Sequence, residues 1–588
     1  MELLKQVQKP GRYIGGEHNS VTKDWGRPYV RFLLAFPDIY EVGMSYLGMR
    51  ILYGILNERG DALCERVFSV WPDMEKLLRQ WHVPLFSLES KRPLNEFDII
   101  GFSLTYDLNY TNVLNILDLG GIPLRSRDRS DEDPLVIAGG PAAYNPEPMA
   151  DFIDAFVIGE GEEVIVEILE AYQRNQKPEH RNQRADRKKM LSELAKIEGV
   201  YVPSLYEVEY NGDGTIKKFA PKNSAPPIVR KRVVKDLNSC FYPVKQVVPY
   251  IQIVHDRICL EIMRGCKHFC KFCQAGVVCL PRRERSREKI VELAKEVYRN
   301  TGYEEMSLMS LSSGDHSRIK EIFEELTAAF KERGVSVSLP SLRIEGLADE
   351  LPELIRRVRK SGLTFAPESG SERLRKVINK NIDIELLARA ALEAYKAGWD
   401  RIKLYFMIGL PQESDEDLSA TAGLIAHISG LRRRFNKGPG FITASIAAFI
   451  PKPHTPFQWV SMEGRDVLKA RQRFLRDRNP NRKKVKLDFH DLETSILEGV
   501  ISRGDRRLGQ VLEKAWGMGA RFDGWGEFFN AELWHEAFRA AHIEPDFYIN
   551  RARPHEEILP WDIIDIGISK ARLLKLSTVN GDSAHLNK

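Results

Sequence analysis

The sequence predicts an α/β protein with three parts: a doubly wound, Rossmann-like N-terminal domain, a central partial (β/α)6 barrel and a mainly helical C-terminal region. The main observation is that short apolar runs alternate with amphipathic helical patterns in two separate stretches of the chain. A second observation is the length of 588 residues, which is too long for one hydrophobic core. The composition, 43% hydrophobic and 29% charged, is that of a globular protein.

The N-terminal α/β domain is predicted over residues 29–172, after a polar, glycine-rich and irregular lead-in at 1–28. Its apolar runs predict strands, and the periodic segments after them predict helices. The strands are expected at 29–36, 97–103, 135–138 and 156–158, and the helices at 44–58, at 110–119 and before Tyr172. Alternating strands and helices favour a doubly wound sheet.

A linker and a small β-rich segment are expected between the two α/β regions, over residues 173–250. The first part is highly charged and rich in Gln and Asn. From Tyr201 the pattern is β-like, and Asn211-Gly-Asp-Gly214 is typical of a hairpin turn.

The central barrel is predicted over residues 251–460, where strand and helix patterns alternate regularly. Strands are expected at 258–264, 306–312, 335–342, 363–369, 401–409 and 442–450. Helices are expected at 287–300, 318–332, 350–361, 371–397 and 414–431. Because these units lack the glycine fingerprint of a dinucleotide fold, we expect a partial barrel of parallel strands, with its active site at their carboxyl ends.

The C-terminal region, residues 461–588, begins with a dense basic stretch and continues with many aromatic residues. The basic residues fall in 471–478 and 482–486. Such a stretch is usually a solvated helix face followed by a loop, and the alternative is an RNA-binding patch. The net charge of +5 does not by itself imply a nucleic-acid partner.

No apolar run of the sequence approaches the roughly 18 residues that a membrane-spanning helix needs. The N-terminus, Met-Glu-Leu-Leu-Lys-Gln, also lacks the apolar stretch of a signal peptide. We therefore expect a cytoplasmic protein without a membrane partner.

Three of the seven cysteines, Cys266, Cys270 and Cys273, lie within eight residues at the end of the first barrel strand. One loop with three thiolates can wrap a [4Fe–4S] cluster, which normally takes four cysteines, so one iron stays open for catalysis. The alternative is a zinc site completed by His268 or His255. Cys259 and Cys279 do not fit the spacing, and we expect them to be packed thiols.

The C-x3-C-x2-C spacing, with an aromatic residue before the last cysteine, is similar to the signature of the radical S-adenosylmethionine (SAM) superfamily. The resemblance implies that the open iron chelates SAM. It also implies that one electron cleaves SAM to give a 5′-deoxyadenosyl radical, which modifies a substrate. A flavodoxin- or ferredoxin-type electron donor is then expected as a partner. The cofactor carries the chemistry, and the protein positions it and excludes water.

Further segments at predicted strand ends resemble SAM-contacting motifs of the same superfamily. They are Ser312-Ser-Gly-Asp315, Ser341-Leu-Arg343, Ala366-Pro-Glu368-Ser-Gly, Met407-Ile-Gly409-Leu-Pro411 and, in the manner of the MiaB-like branch, Phe449–Phe457. The resemblance implies contacts of Asp315 with the SAM ammonium group and of Arg343 with its carboxylate. It places Glu368 against SAM, and Gly409 and Pro411 near the adenine.

The N-terminal domain resembles the cobalamin (B12)-binding fold that often precedes a radical SAM domain. The similar segments are Asp38-Ile-Tyr40-Glu-Val-Gly43, Ser103-Leu-Thr105 and Gly139-Gly140. The resemblance implies a cobalamin tail held by Asp38, Gly43, Ser103, Gly139 and Gly140. Tyr40 stands where the fold has its cobalt-ligating histidine. Two interpretations therefore remain open: cobalamin bound without a protein ligand to cobalt, or a vestigial domain without cobalamin.

Over residues 30–572 the chain resembles the B12-binding-type radical SAM family, including C-terminal segments at 504–508 and 559–570. That family is often accompanied by a small partner domain, which would here be a separate protein or missing. Three hypotheses follow: a cobalamin-dependent enzyme that methylates an unactivated carbon, a cobalamin-independent enzyme that modifies RNA or another macromolecule, and a non-catalytic metal-binding module. The sequence does not name the substrate.

Overall fold

The computed structural model describes residues 2–27, 30–176, 186–222, 225–339, 363–435, 437–479 and 481–578. Its strands are β1 Val30–Phe36, β2 Ala62–Phe68, β3 Ile99–Ser103, β4 Leu135–Gly139, β5 Ala155–Val157, β6 Val200–Tyr201, β7 Tyr206–Tyr210, β8 Ile216–Pro221, β9 Val229–Arg230, β10 Ile258–Glu261, β11 Met263–Arg264, β12 Arg283–Glu284, β13 Glu305–Met309, β14 Ser336–Ser338, β15 Leu363–Glu368, β16 Arg401–Ile408, β17 Phe441–Ala448, β18 Val485–Phe489 and β19 Ile564–Asp565.

Its α-helices are α1 Tyr40–Gly43, α2 Leu47–Glu58, α3 Pro72–Trp81, α4 Tyr110–Leu119, α5 Gly161–Asn175, α6 Arg187–Leu194, α7 Gln274–Val278, α8 Arg287–Thr301, α9 Ile319–Phe330, α10 Glu372–Val377, α11 Ile384–Lys396, α12 Asp415–Leu431, α13 Arg465–Asp477, α14 Leu492–Ser502, α15 Leu508–Gly517, α16 Ala531–Ala540, α17 Asp546–Ile549 and α18 Lys570–Ser577. The predicted α/β class, with a mainly helical C-terminal region, is confirmed.

The N-terminal sheet has the strand order β2-β1-β3-β4-β5-β6, with β6 antiparallel to β5 and the other pairs parallel. The four strands predicted here are present, but β2 was not predicted. Its middle carries Glu65 and Arg66, which look like surface residues. Both are buried. Arg66 forms ion pairs with Glu17 at 2.8 Å and with Glu89 at 2.7 Å, and Glu65 accepts from the Ser90 hydroxyl at 2.8 Å.

The central region forms two parallel sheets, with the orders β10-β13-β14 and β15-β16-β17-β18. The six predicted strands are present, while the predicted helix at 350–361 and Arg343 lie outside the described residues. One expectation was wrong, because the predicted helix 371–397 is interrupted between α10 and α11. The basic stretch lies on helix α13 and the loop after it, as expected, and a strand that was not predicted, β18, begins at its end.

The C-terminal region packs on the N-terminal sheet as well as on the barrel. Helix α15 lies against α4, and the indole Nε1 of Trp525 donates to Asp38 at 3.1 Å, across 487 residues of sequence. The predicted hairpin turn is confirmed, because β7 and β8 pair antiparallel around it. None of the helices in the described ranges is long and apolar enough to cross a membrane.

Candidate active site

The cysteine loop follows β11 and turns sharply through two residues with positive φ, Gly265 at 82° and Phe269 at 47°. Only glycine fits at the first position, because a Cβ there would lie 2.8 Å from the Cα of Arg282. Within the loop, Cys270 is buried, and Cys266 and Cys273 are half-buried. The three thiols therefore sit at the carboxyl end of the first barrel strand, with limited access to water.

Asn379, in the break between α10 and α11, holds this loop in place. Its side-chain amide donates to the carbonyl oxygens of His268 at 2.9 Å and Phe269 at 3.0 Å. The backbone N–H of Lys271 donates to the carbonyl of Ile378 at 3.0 Å. The segment between α10 and α11, which was not predicted, therefore fixes the cysteine loop through these hydrogen bonds. Asn379 is a site residue that sequence reasoning missed.

Cys273 also begins the next helix. The Gly276 N–H donates to its Sγ at 3.3 Å, at the N-terminus of α7. Burial, together with the nearby Cys270 and Cys266 thiolates, raises the pKa of Cys273 to about 11, and the Lys380 ammonium acts in the opposite direction. Since only a thiolate ligates metal, the group that binds here has to supply positive charge.

The side chains around the cysteine loop fit one of the two metal sites that the sequence left open better than the other. In the part of the chain that the structure describes, no three His, Cys, Asp or Glu side chains converge as ligands for one metal ion. The histidines of the zinc alternative have other partners, because His268 contacts Asp315 at 2.5 Å and His255 contacts Arg257 at 2.9 Å. Cys266 and Cys270 lie close enough to Cys273 to influence its pKa, and three neighbouring thiols without a histidine ligand fit a [4Fe–4S] cluster better than a zinc ion.

Asp315 lies after β13 and contacts the cysteine loop directly. Its carboxylate pairs with Lys267 at 3.0 Å and with His268. Burial favours its neutral form, but hydrogen bonds from His268, Ser312 and Lys267 prevail and hold the pKa of Asp315 well below its usual range. The residue therefore stays ionised beside Lys267 and His268 of the cysteine loop.

Glu368, at the end of β15, is also linked to the cysteine loop. Its φ is 65°, and the pairing of β15 with β16 shifts register just before it. The carboxylate lies 3.2 Å from the ammonium of Lys380, the cation that lowers the pKa of Cys273. Asp315 and Glu368 thus approach the loop from two different strands.

Gly409 and Pro411 follow β16, where Gly409 has a φ of 78°. The N–H of Gly409 donates to the buried carboxylate of Glu413 at 2.7 Å, and Arg471 pairs with Glu413 at 2.8 Å. Burial raises the pKa of Glu413 to about 7. Sequence reasoning missed Glu413 and Arg471, which form this turn, since nothing local distinguishes them from surface charges.

A cavity of about 640 Å³ joins the N-terminal sheet to the cysteine loop. On one side it is lined by Ser103, Gly139 and Gly140 at the carboxyl ends of β3 and β4. On the other side it is lined by residues that flank the cysteines, among them Gly265 and Gln274. The cavity also extends between the sheet and helices α2 and α5, along Phe32, Gly48, Ile51, Gly101, Ile137, Val157, Gly161 and Ile165.

Asp38, Tyr40 and Gly43 do not line this cavity. Asp38 is buried, accepts from Trp525 and from its own neighbour Ile39, and burial raises its pKa. The hydroxyl of the buried Tyr40 donates to Glu17 at 2.8 Å. The structure therefore brings three of the five residues predicted to hold cobalamin to one space, and Asp38 and Gly43 pack elsewhere.

Comparison with known families now identifies the chain. A family model described as the radical SAM superfamily matches residues 260–425. The chain is a radical SAM protein. A second model, described as radical SAM proteins, N-terminal, matches residues 48–203, so both α/β regions are covered. As a radical SAM enzyme, the protein uses a [4Fe–4S] cluster and SAM, and it requires a reductant and a substrate.

The radical SAM protein is 27% identical to an uncharacterised protein of Methanocaldococcus jannaschii over 483 residues, which are 82% of this chain and 90% of that protein. It is 29% identical to a tRNA-2-methylthio-N(6)-dimethylallyladenosine synthase of Bacteroides fragilis over 147 residues, 22% of this chain and 32% of that one.

Among solved structures, it resembles the radical SAM methyltransferase TsrM of Kitasatospora setae, with cobalamin and a [4Fe–4S] cluster bound. The TM-score is 0.53 at 13% identity, over 87% of this chain and 100% of that one. The same methyltransferase with tryptophan and a SAM analogue gives a TM-score of 0.50 at 12% identity, with the same coverage. These two similarities are similarities of fold.

Proposed function

We propose that Cys266, Cys270 and Cys273 hold the cluster of this radical SAM enzyme, that the adjoining cavity holds cobalamin, and that the enzyme methylates its substrate. The observation that carries the proposal is the continuous cavity between the two sets of strand ends. When bound, the cluster supplies the electron that cleaves SAM, and cobalamin supplies a carrier for the methyl group.

The chain's own residues have three tasks around the cluster. Asn379 fixes the cysteine loop through two backbone carbonyls. Lys380 places positive charge beside the thiolates. We assign the SAM contacts to the residues at or after the strand ends, Asp315, Glu368, Gly409 and Pro411, together with Arg343, which lies outside the described residues.

The shape of the cavity supports cobalamin in particular. Its inner part is a slot between the sheet face and α2 and α5, and it is mostly apolar. Such a slot suits a nucleotide tail. The Ser103 hydroxyl could donate a hydrogen bond to the tail, and Gly139 and Gly140, which have no side chains, would let it approach the backbone closely. Because the Tyr40 hydroxyl is bound to Glu17, we expect no cobalt ligand from this position.

A titration with hydroxocobalamin, followed by its absorption bands, tests this assignment. Gly161 lies at the start of α5 on the cavity wall, and a Cβ there would make only an ordinary contact, 3.4 Å from Leu52. We expect Gly161→Phe to fill the slot and to abolish binding, and the matched control Gly161→Ala to bind like the wild type. Equal binding by Gly161→Phe, or none by the wild type, would contradict a cobalamin role for the cavity.

A second candidate function is the cobalamin-independent modification of RNA. It is favoured by the match of 147 residues to a synthase whose name describes a tRNA product. Release of 5′-deoxyadenosine by the reduced protein, stimulated by an RNA pool in the absence of cobalamin, would support it. For either function we propose a flavodoxin- or ferredoxin-type electron donor and a separate small partner protein.

A further inference from the structure

A strongly basic surface lies at the amino ends of β16, β17 and β18, on the side of the barrel opposite the cysteine loop. We call it the basal surface. It consists of Arg401, Arg432, Arg433, Arg434, Lys437, Arg478, Arg482, Lys483 and Lys484. It combines the dense basic stretch of the sequence with a second basic run about 40 residues earlier.

The fold brings these two runs together. Helix α12 ends at Leu431, so Arg432–Arg434 precede the amino end of β17. Helix α13 ends at Asp477, so Arg478 and Arg482 precede the amino end of β18. The two strands are parallel neighbours, with Ile442 opposite Val485, and adjacent strands lie about 4.8 Å apart. The two runs therefore occupy one edge of the sheet.

The positive charge of the basal surface is not neutralised within the described residues. No carboxylate there lies within ion-pair distance of a basal side chain, and Arg433, Arg434, Lys437, Arg482 and Lys483 are exposed. By contrast, the arginines around the cavity are paired: Arg264, for example, contacts Glu261 at 2.8 Å and Glu160 at 3.2 Å. Uncompensated charge of one sign attracts a polyanion.

Aromatic side chains hold part of this charge in place. The guanidinium of Arg478 lies 3.6 Å from the ring centroid of Phe474. The ammonium of Lys484 lies 3.7 Å from Phe441. Stacking orders these long side chains without cancelling their charge, which reduces the entropy that a bound partner would have to remove.

We propose that the basal surface binds the phosphate backbone of a structured RNA. Guanidinium groups predominate in it, and their forks match phosphate oxygens. A membrane is disfavoured, because helices that lie on bilayers expose an apolar face, whereas Leu468 and Leu475 of α13 are buried. The eight residues of β16 separate this surface from the opposite strand ends by about 26 Å, a distance that a folded RNA can span.

The inference concerns docking and does not depend on cobalamin. If the protein modifies RNA, this surface anchors the substrate; binding is measured without cluster turnover or cobalamin, so its outcome is separate from that of the proposed function. The probe is a 5′-labelled RNA hairpin of about 30 nucleotides, whose binding is followed by fluorescence anisotropy over a range of salt concentrations. Each neutralised phosphate adds about 0.7 to 0.9 to the slope of log affinity against log salt.

The variants are R433E/R434E and R482E/K483E, with K188E/K189E on α6 as a control that changes the charge equally at another exposed site. We expect each basal variant to weaken binding at least about tenfold and to reduce the salt slope, and the control to change it less than about twofold. Circular dichroism checks the fold of each variant.

Equal losses in the control and the basal variants would overturn the proposal. So would the absence of hairpin binding by the wild type at micromolar protein, equal affinity for a DNA hairpin of the same sequence, or tighter binding to vesicles that contain anionic lipid. Loss in one basal pair alone would likewise contradict a single surface built from both runs.

Discussion

The N-terminal sheet and the barrel both direct the carboxyl ends of parallel strands toward one cavity, but different kinds of residues lie at those ends. In the barrel, the strand ends carry charged residues tied to the cysteine loop, such as Asp315 with Lys267 and Glu368 with Lys380. In the N-terminal sheet, the end of β1 is covered by Trp525, and the open ends are those of β3 and β4.

This difference shows that topology alone does not place a ligand. The strand order of the N-terminal sheet reverses between β1 and β3, where a crevice is expected to form. An aromatic cluster of Trp71, Phe522, Trp525 and Phe528 packs at the β1 side of that crevice. The space that stays free is lined by β1, β3, β4 and β5 together with helices α2 and α5.

The largest expected effect tests the barrel side of this comparison. Replacing Cys266, Cys270 or Cys273 by Ala should abolish assembly of the cluster and release of 5′-deoxyadenosine, because a three-thiolate site has no spare ligand. Cys240→Ala, which changes a cysteine outside the loop, should retain both. Iron and sulfide analysis after anaerobic reconstitution measures the result, and a full cluster in any of the three loop variants would refute the assignment.

A moderate effect is expected from the buried carboxyl group behind Gly409. Burial raises the pKa of Glu413 from 4.5 to about 7, so the folded protein binds a proton there that the unfolded chain has released. The free energy of unfolding should therefore fall as pH rises from about 4.5 to about 7, by up to about 3 kcal/mol.

The variant Glu413→Gln should remove this contribution, because glutamine is neutral at every pH and still accepts from the Gly409 N–H. Thermal unfolding of both proteins between pH 5 and 8 measures it, and the wild type should lose stability relative to the variant as the pH increases. Parallel curves would show that the carboxyl group is already ionised at pH 5, held so by Arg471.

The smallest effect concerns the N-terminal side. Tyr40→Phe should leave the affinity for hydroxocobalamin nearly unchanged, because this hydroxyl faces Glu17 and not the cavity. Loss of the hydrogen bond should lower the stability by only about 1 kcal/mol. A clear change in the cobalamin spectrum of this variant would place Tyr40 at the cofactor and contradict the division between the two ends of the sheet.

Much of the fold was accessible from the sequence, and the exceptions have physical causes. Strand β2 was missed because charged residues such as Glu65 and Arg66 are usually found on the surface. In the folded protein, however, ion pairs with residues distant in sequence neutralise the buried Arg66. Strand β18 was missed although Val485-Lys-Leu-Asp-Phe489 alternates apolar and charged residues, a signal that the surrounding lysines and arginines obscured.

The sequence by itself determined the features that depend on short stretches: the strand and helix pattern, the hairpin turn and the spacing of the three cysteines. Their causes are local, since periodicity, turn residues and loop length act over a few positions. Only the tertiary structure decided that Asn379 brackets the cysteine loop, that Trp525 covers Asp38, and that two basic runs form one surface. These contacts join residues far apart in sequence, so packing across the whole molecule decides which strand ends stay open.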